Sequence, residues 1–365
     1  MRTSCLFHGL WVSLVLILAY GVFVSSYSAD SRSSSSPDYQ LGLEKAYSQY
    51  DNPPDRPLQM VFHKDALKLF TYRSNGFVEE WNMTDRSLAQ TFRTNSIFSY
   101  AASVNSLVTK NVMDTVEIRS LDSSTSMTLA RDFYSHSAID PDGTLLLLST
   151  GGRSLELWKL DAKRLARTWE THQPVRHGVA ISSNGKYVAA AEGIYNSIAN
   201  THRTTVELWE TTYATPRLLF NGMDDREVHG VWSMVFSPDA SLIAVDSRVE
   251  RQAGLTVWGT SLGNPVLQVR GLDSNWVRAL AFSPGGEYLA SGDEHGHLMI
   301  WSIDQQKAVW QGQAGEHAIY SITFSPDGQY VAAGIHNSTI QVWNIELPFD
   351  KRTSCRSNCA EPSKV

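Results

Sequence analysis

Short apolar runs rich in Val, Ile, Leu and Ala follow one another along most of the chain, separated by polar, turn-forming breaks. Such runs, punctuated by Pro-Asp-Gly, predict strands joined by tight turns. One phrase recurs: an apolar strand, Phe-Ser-Pro-Asp-Gly or a relative, a second strand, a break, and a third strand ending in Trp. It is clearest at Phe324-Ser325-Pro326-Asp327-Gly328, which leads through Tyr330–Gly334 to Ile340-Gln341-Val342-Trp343. Phe282-Ser283-Pro284-Gly285-Gly286 leads to Trp301, and Phe236-Ser237-Pro238-Asp239 leads to Trp258. Weaker copies end at Trp209, Trp158 and Trp81. Val116-Glu117-Ile118-Arg119 fills the gap between Trp81 and Trp158, with Arg119 in the Trp position.

The seven markers therefore stand at positions 81, 119, 158, 209, 258, 301 and 343. A repeat at this period must be read before anything else. In the turn, Pro presets φ, Asp bonds backbone two residues on, and Gly tolerates positive φ. After each marker a fourth apolar run appears, as in Pro265–Val269 or Ala308–Trp310. Four strands make one small sheet that cannot bury both faces alone. Seven such sheets packed radially can, and they leave only short edges exposed. The fold class is all-β: a seven-bladed β-propeller of four-stranded antiparallel blades.

These residues resemble the WD40-repeat β-propeller family over residues 39–348. The resemblance is strongest in blades five to seven and weakest in blade two. It implies a tetrad of His, Asp, Ser and Trp in each blade, but His295 and Asn337 stand where Asp is expected and Leu272 where His is expected. Most blades must then rely on packing and strand pairing. The resemblance also implies that residues 40–50, which carry Leu41, Leu43, Ala46 and Tyr47, supply the outer strand of the last blade. Trp81, Trp158, Trp209, Trp258, Trp301 and Trp343 are expected in the core as structural residues.

The ends of the chain differ from the repeats. Residues 1–29 combine a charged start, an apolar stretch from Leu10 to Val24 and small residues at 25–29. These are the parts of a secretory signal, or of an uncleaved N-terminal anchor if the run is counted from Leu6. Either reading makes the folded part extracytoplasmic: periplasmic, secreted or membrane-tethered. Residues 30–38 form a Ser-rich linker with little to bury. The tail 349–365 holds Cys355 and Cys359, which could pair, stay free or bond another chain. Two ligands are too few for a structural metal site.

Composition narrows the function. The net charge is −6, which argues against a nucleic-acid partner. Fourteen Tyr, 13 Phe and 11 Trp provide ample core and exclude a disordered chain. Gly259-Thr260-Ser261-Leu262-Gly263 matches a nucleophile pattern, but that pattern works only on a strand-to-helix turn. Asp293-Glu294-His295-Gly296-His297 carries four potential ligands, yet a turn between the second and third strands accounts for it. No catalytic residue, cofactor or metal is assigned.

In the propeller family the first strand of each blade lines the channel, and the residue four before the turn Phe points to the upper rim. Those positions are His177, Trp232, Arg278 and Tyr320 in blades four to seven, against Ser135, Ser96 and Leu58 in blades three to one. Trp276 and His229 lie beside them. Large amphipathic side chains and Arg are what binding hot spots use, although they could equally plug a narrow channel. The two long repeat steps place extra residues at 192–203 and 246–254, read as loops carrying Tyr195, Arg248, Glu250 and Arg251. The expectation is a monomeric, non-catalytic scaffold that binds protein or peptide partners on its upper rim, with one interaction face over blades four to six. The alternative is a small-molecule- or metal-binding propeller, possibly hydrolytic, at the channel mouth. A permanent structural element of a larger envelope assembly is a third reading.

Overall fold

A computed structural model describes residues 35–41, 56–63, 67–93, 96–101, 106–110, 115–120, 126–131, 136–150, 152–196, 201–216, 218–225, 231–249, 252–272 and 276–347. The expected signal or anchor, Ser135, His229, Glu250, Arg251, Cys355 and Cys359 lie outside them. The described chain forms seven four-stranded antiparallel sheets and no helix. Blades one to six occupy residues 57–93, 96–131, 136–170, 175–225, 234–272 and 277–313. Blade seven takes three strands from residues 319–344 and its outer strand, Tyr39–Leu41, from the other end of the chain.

The strands read as nearly unbroken apolar runs because both faces are covered. In the second strand of blade seven, Tyr330–Ile335, alternate residues serve opposite seams. Val331, Ala333 and Ile335 pack with Ala290, Leu298 and Ile300 of blade six, whereas Ala332 packs with Met60, Phe62 and Leu69 of blade one. Each marker tryptophan sits in the seam that precedes its own blade. Trp81, Trp209, Trp301 and Trp343 are buried there. Trp158 and Trp258 occupy the equivalent seams but remain half-buried, a correction to the expectation that all six are fully in the core. In blade three the buried indole is instead Trp169, whose Nε1 donates to the Tyr213 carbonyl at 2.9 Å.

The recurring turn is held by its serine as much as by its aspartate. In blade seven, Ser325 Oγ accepts from Tyr330 N at 2.9 Å and donates to Asp327 Oδ1 at 2.5 Å. Asp327 Oδ1 also accepts from Gln329 N at 3.1 Å. Gly328 closes the turn at φ 72°, and in blade five Ala240 takes the same conformation at φ 61° without glycine's freedom. The hydroxyls of Ser182, Ser237 and Ser283 accept from the backbone of blades four, five and six in the same way.

The N-terminal segment closes the ring as the resemblance implies; of residues 40–50 the described part is Gln40 and Leu41, and Leu43, Ala46 and Tyr47 lie outside the described residues. Tyr39, Gln40 and Leu41 pair antiparallel with Val342, Gln341 and Ile340, and Leu41 is buried. The contact begins earlier, inside the Ser-rich segment. Ser35 bridges in parallel to Gly312 of blade six, and its carbonyl accepts from Trp343 Nε1 at 3.3 Å. Asp38 Oδ2 accepts from Asn344 N. A seven-residue stretch therefore stitches blade six to blade seven.

Among the described residues, the two long steps are strand and not loop. In blade four the second and third strands run on as Tyr187–Asn196 and Thr201–Glu210, paired from Tyr187↔Glu210 out to Asn196↔Thr201. In blade five, Leu242–Val249 and Gln252–Gly259 stay paired out to Val249↔Gln252. Residues 192–196, 201–203, 246–249 and 252–254 are thus β-ribbon, where Ile194, Tyr195, Thr201 and Val249 favour pleated pairing over an open loop.

Candidate functional site

The first strands of all seven blades surround a central cavity of about 570 Å³, lined by Val61, Ser99, Ala138, Val179, Val235 and Ala281 among others. The cavity reaches the turns that follow the first strands, where Pro141, Ser183 and Pro238 line it; a separate cluster of large side chains gathers at the other end, where the first strands begin. That end, which also carries the hairpins between second and third strands, is the upper rim.

Arg278, in the first strand of blade six (Val277–Phe282), is the centre of the cluster. Its guanidinium carbon lies 4.7 Å from the Trp232 ring centroid of blade five and 5.5 Å from that of Tyr320 of blade seven. Both distances lie within the range at which a ring quadrupole attracts a cation. Trp232 meets Trp276 edge to face, with centroids 6.4 Å apart. Tyr320 stacks on His336 at 5.6 Å and receives a 3.1 Å hydrogen bond from Arg56 Nη1, whose guanidinium also lies over the ring. Trp232 remains 53% exposed, so it presents its free face to solvent instead of filling the channel.

A buried acid sets this arrangement from behind. Asp246 Oδ1 accepts from Trp232 N and Ser233 N, both at 2.8 Å, and so fixes the backbone that carries Trp232. Burial pushes the Asp246 carboxyl up to about 7, opposed by those two amides and the nearby Arg278 charge. Glu294 Oε2 stands 4.0 Å from Arg278 Nη2. His336 is held below its ordinary value, first by burial and then by the positive charges of Arg56, His317 and Arg278. Nε of Arg56, Nε of Arg278 and Nδ1 of His336 are buried with no hydrogen-bond partner among the described residues. The mouth therefore sets aromatic faces beside two guanidinium groups.

Of the residues expected from sequence, Trp232, Trp276, Arg278 and Tyr320 come together over blades five to seven, one blade further round than the expected face over blades four to six, because Arg278 bridges the rings of both its neighbours. His177 is half-buried on the first strand of blade four. Tyr195 and Arg248 lie on the extended hairpin strands of blades four and five. Leu58, at the rim position of blade one, is exposed. Arg56, His336 and Asp246 were missed. Arg56 precedes its strand and reaches Tyr320 only across the ring closure, so its spacing along the chain carries no signal. Asp246 works through backbone amides, which leave no motif. The Gly259–Gly263 stretch is a turn between two strands, with Gly263 N bonded to Gly259 O at 2.9 Å, and lacks the helix a nucleophile elbow requires.

The family model described as "WD domain, G-beta repeat" matches residues 263–302 and 305–344. Each matched repeat starts at or just before the outer strand of one blade and ends at or just past the third strand of the next, so every repeat ties two blades together. The chain is 30% identical over 172 residues to "Transcription initiation factor TFIID subunit 5" of Caenorhabditis elegans, covering 46% of this chain and 23% of that one. It is 32% identical over 100 residues to human "WD repeat and SOCS box-containing protein 1", covering 27% and 22%. It is 25% identical over 183 residues to "Nuclear distribution protein PAC1" of Arthroderma benhamiae, covering 45% and 37%. The matches span less than two fifths of these relatives.

Proposed function

Because the chain is a WD40-repeat β-propeller protein, we propose that it is a non-catalytic interaction scaffold that docks a protein or peptide on its upper rim over blades five to seven. The observation that carries this reading is the Trp232–Arg278–Tyr320 cluster, with Trp232 half exposed. An amphipathic ring beside a guanidinium is the composition of a binding hot spot. The acids nearest this mouth are already engaged, Asp246 by two backbone amides and Glu294 beside Arg278, which favours docking over hydrolysis. One relative is by name a subunit of a larger factor, in keeping with a scaffold role. The apolar stretch from Leu10 to Val24 supports an extracytoplasmic setting, with the propeller released or tethered by that segment.

Crosslinking of the full chain in its native host, followed by mass spectrometry, identifies the partner and the face it occupies. Trp232→Ala and Arg278→Ala are each expected to lower partner capture by about tenfold or more, at an unchanged melting temperature. If both variants unfold the protein, or if crosslinks map to the opposite end of the ring, the docking reading fails. Protease accessibility in intact cells tests the compartment separately.

A further inference from the structure

We propose that Asp293, His295 and His297, on the hairpin between the second and third strands of blade six, form a binding site for a divalent transition-metal ion such as zinc. One ring nitrogen of each histidine and a carboxylate oxygen of Asp293 all lie within 4.8 Å of one another. Two imidazoles and a carboxylate are a borderline-soft donor set, suited to zinc and its neighbours and not to magnesium or calcium.

The hairpin holds these groups in place before any ion arrives. Asp293 Oδ1 accepts from His295 N and His297 N, both at 2.9 Å, which turns its other oxygen toward the His297 ring. That oxygen, Oδ2, lies 2.7 Å from His297 Nδ1. Between the histidines, Gly296 has φ +82°, and a Cβ there would come within 2.5 Å of the Gly315 carbonyl and 2.9 Å of that of His317. Gly296 O accepts from Ala314 N at 2.8 Å, and His295 O from Gln313 Nε2 at 3.0 Å. The turn is thus anchored to the neighbouring loop, and both imidazoles are set on one side with ring centroids 6.2 Å apart.

Donor atoms sharing a tetrahedral zinc ion sit roughly 3.3 Å apart, given bonds of about 2 Å. Closing the remaining distance needs only rotation of the His295 ring, which is half exposed. Glu294 Oε1, 4.0 Å from His295 Nε2, is within reach as a fourth donor, and water can complete the shell. Asp293 has two ways to serve: as a ligand, or as the carboxylate that orients His297 while the other ring nitrogen binds. Neither depends on partner docking at the mouth.

The test is titration of the full chain with Zn2+ alone at pH 7.5, alongside the absorption spectrum of the Co2+-loaded protein. One saturable site per chain is expected. His295→Ala and His297→Ala should each weaken binding by about tenfold or more, while His317→Ala and His336→Ala leave it unchanged. Should His297→Ala prove unstable, the exposed His295→Ala variant is decisive by itself. Non-saturable uptake, undiminished binding in His295→Ala, or loss in His317→Ala or His336→Ala would overturn the assignment.

Discussion

Blades four and six place a tryptophan at the same point of the same strand, yet satisfy it differently. In blade six, Trp301 Nε1 donates to Ser291 Oγ at 2.9 Å inside the seam with blade five. In blade four, Ala190 stands where Ser291 does, and Trp209 Nε1 is buried with no hydrogen-bond partner among the described residues. The blade-four seam instead buries two acids, Glu192 and Glu207, at no more than 1% exposure. Glu192 Oε2 accepts from Gln173 N at 2.8 Å, Glu207 Oε1 meets His172 Nδ1, and the two carboxyls lie against each other, hydrogen-bonded while Glu192 keeps its proton. The scaffold therefore tolerates loss of the hydroxyl–indole bond as long as packing is kept. Blade seven makes the same point: Trp343 finds a main-chain carbonyl, that of Ser35, in place of a side chain.

The largest effect should come from removing the indoles. Trp301→Ala is expected to cost about 3–5 kcal/mol, read as a fall in the denaturant midpoint. Trp209→Ala should cost less, because truncation also removes an N–H that was buried without an acceptor. Equal losses at the two sites would mean that cavity size alone sets the cost, and the contrast between the seams would collapse.

The acids offer a sharper discriminant. Burial, then the neighbouring Glu207, pushes Glu192 up to about 9. A carboxyl whose folded value lies above its unfolded one contributes stability that is full below the unfolded value and is lost as pH rises through the folded value. For Glu192 that window runs from the ordinary carboxylate range up to about 9. Glu192→Gln keeps an acceptor for Gln173 N and removes the ionisation. The variant should gain stability over the parent as pH is raised from 5 to 9, by about 2–4 °C in melting midpoint for each kcal/mol. A parent and variant that melt in parallel across that range would show that this pair carries no titration.

How much of this was readable beforehand follows from where each signal lies. The propeller was legible because every blade repeats one phrase, and the markers from Trp81 to Trp343 count blades directly. Trp232, Arg278 and Tyr320 were found by counting back four residues from Phe236, Phe282 and Phe324, since register transfers from one blade to the next. Arg56 could not be found so, because no copy of the phrase leads to it. The hairpins of blades four and five were misread because Asn196 and Gly254 look like loop residues, whereas both are paired, Asn196 with Thr201 and Gly254 with Ser247. Buried acids such as Asp246 and Glu192 gave no warning. A carboxylate bonded to backbone amides looks, in sequence, like any surface acid.

The smallest expected effect is also the most direct comparison of the two seams. Ser291→Ala leaves the Trp301 indole N–H buried and unbonded, the state Trp209 already occupies, and should cost about 1–3 kcal/mol. Ala190→Ser is the reverse exchange. Ala190 pairs with Glu207 as Ser291 pairs with Met299, so the new hydroxyl arrives at the equivalent point of the strand, two pairs from Trp209. It adds one oxygen to a fully buried site, and the gain of a hydrogen bond, about 0.5–1.5 kcal/mol, must exceed the crowding. A small rise in stability for Ala190→Ser, opposite in sign to Ser291→Ala, would establish that the blades share one hydrogen-bonding frame. If Ala190→Ser destabilises as much as Ser291→Ala, the blade-four seam has repacked around its alanine and its two acids, and the frame is no longer common to the ring.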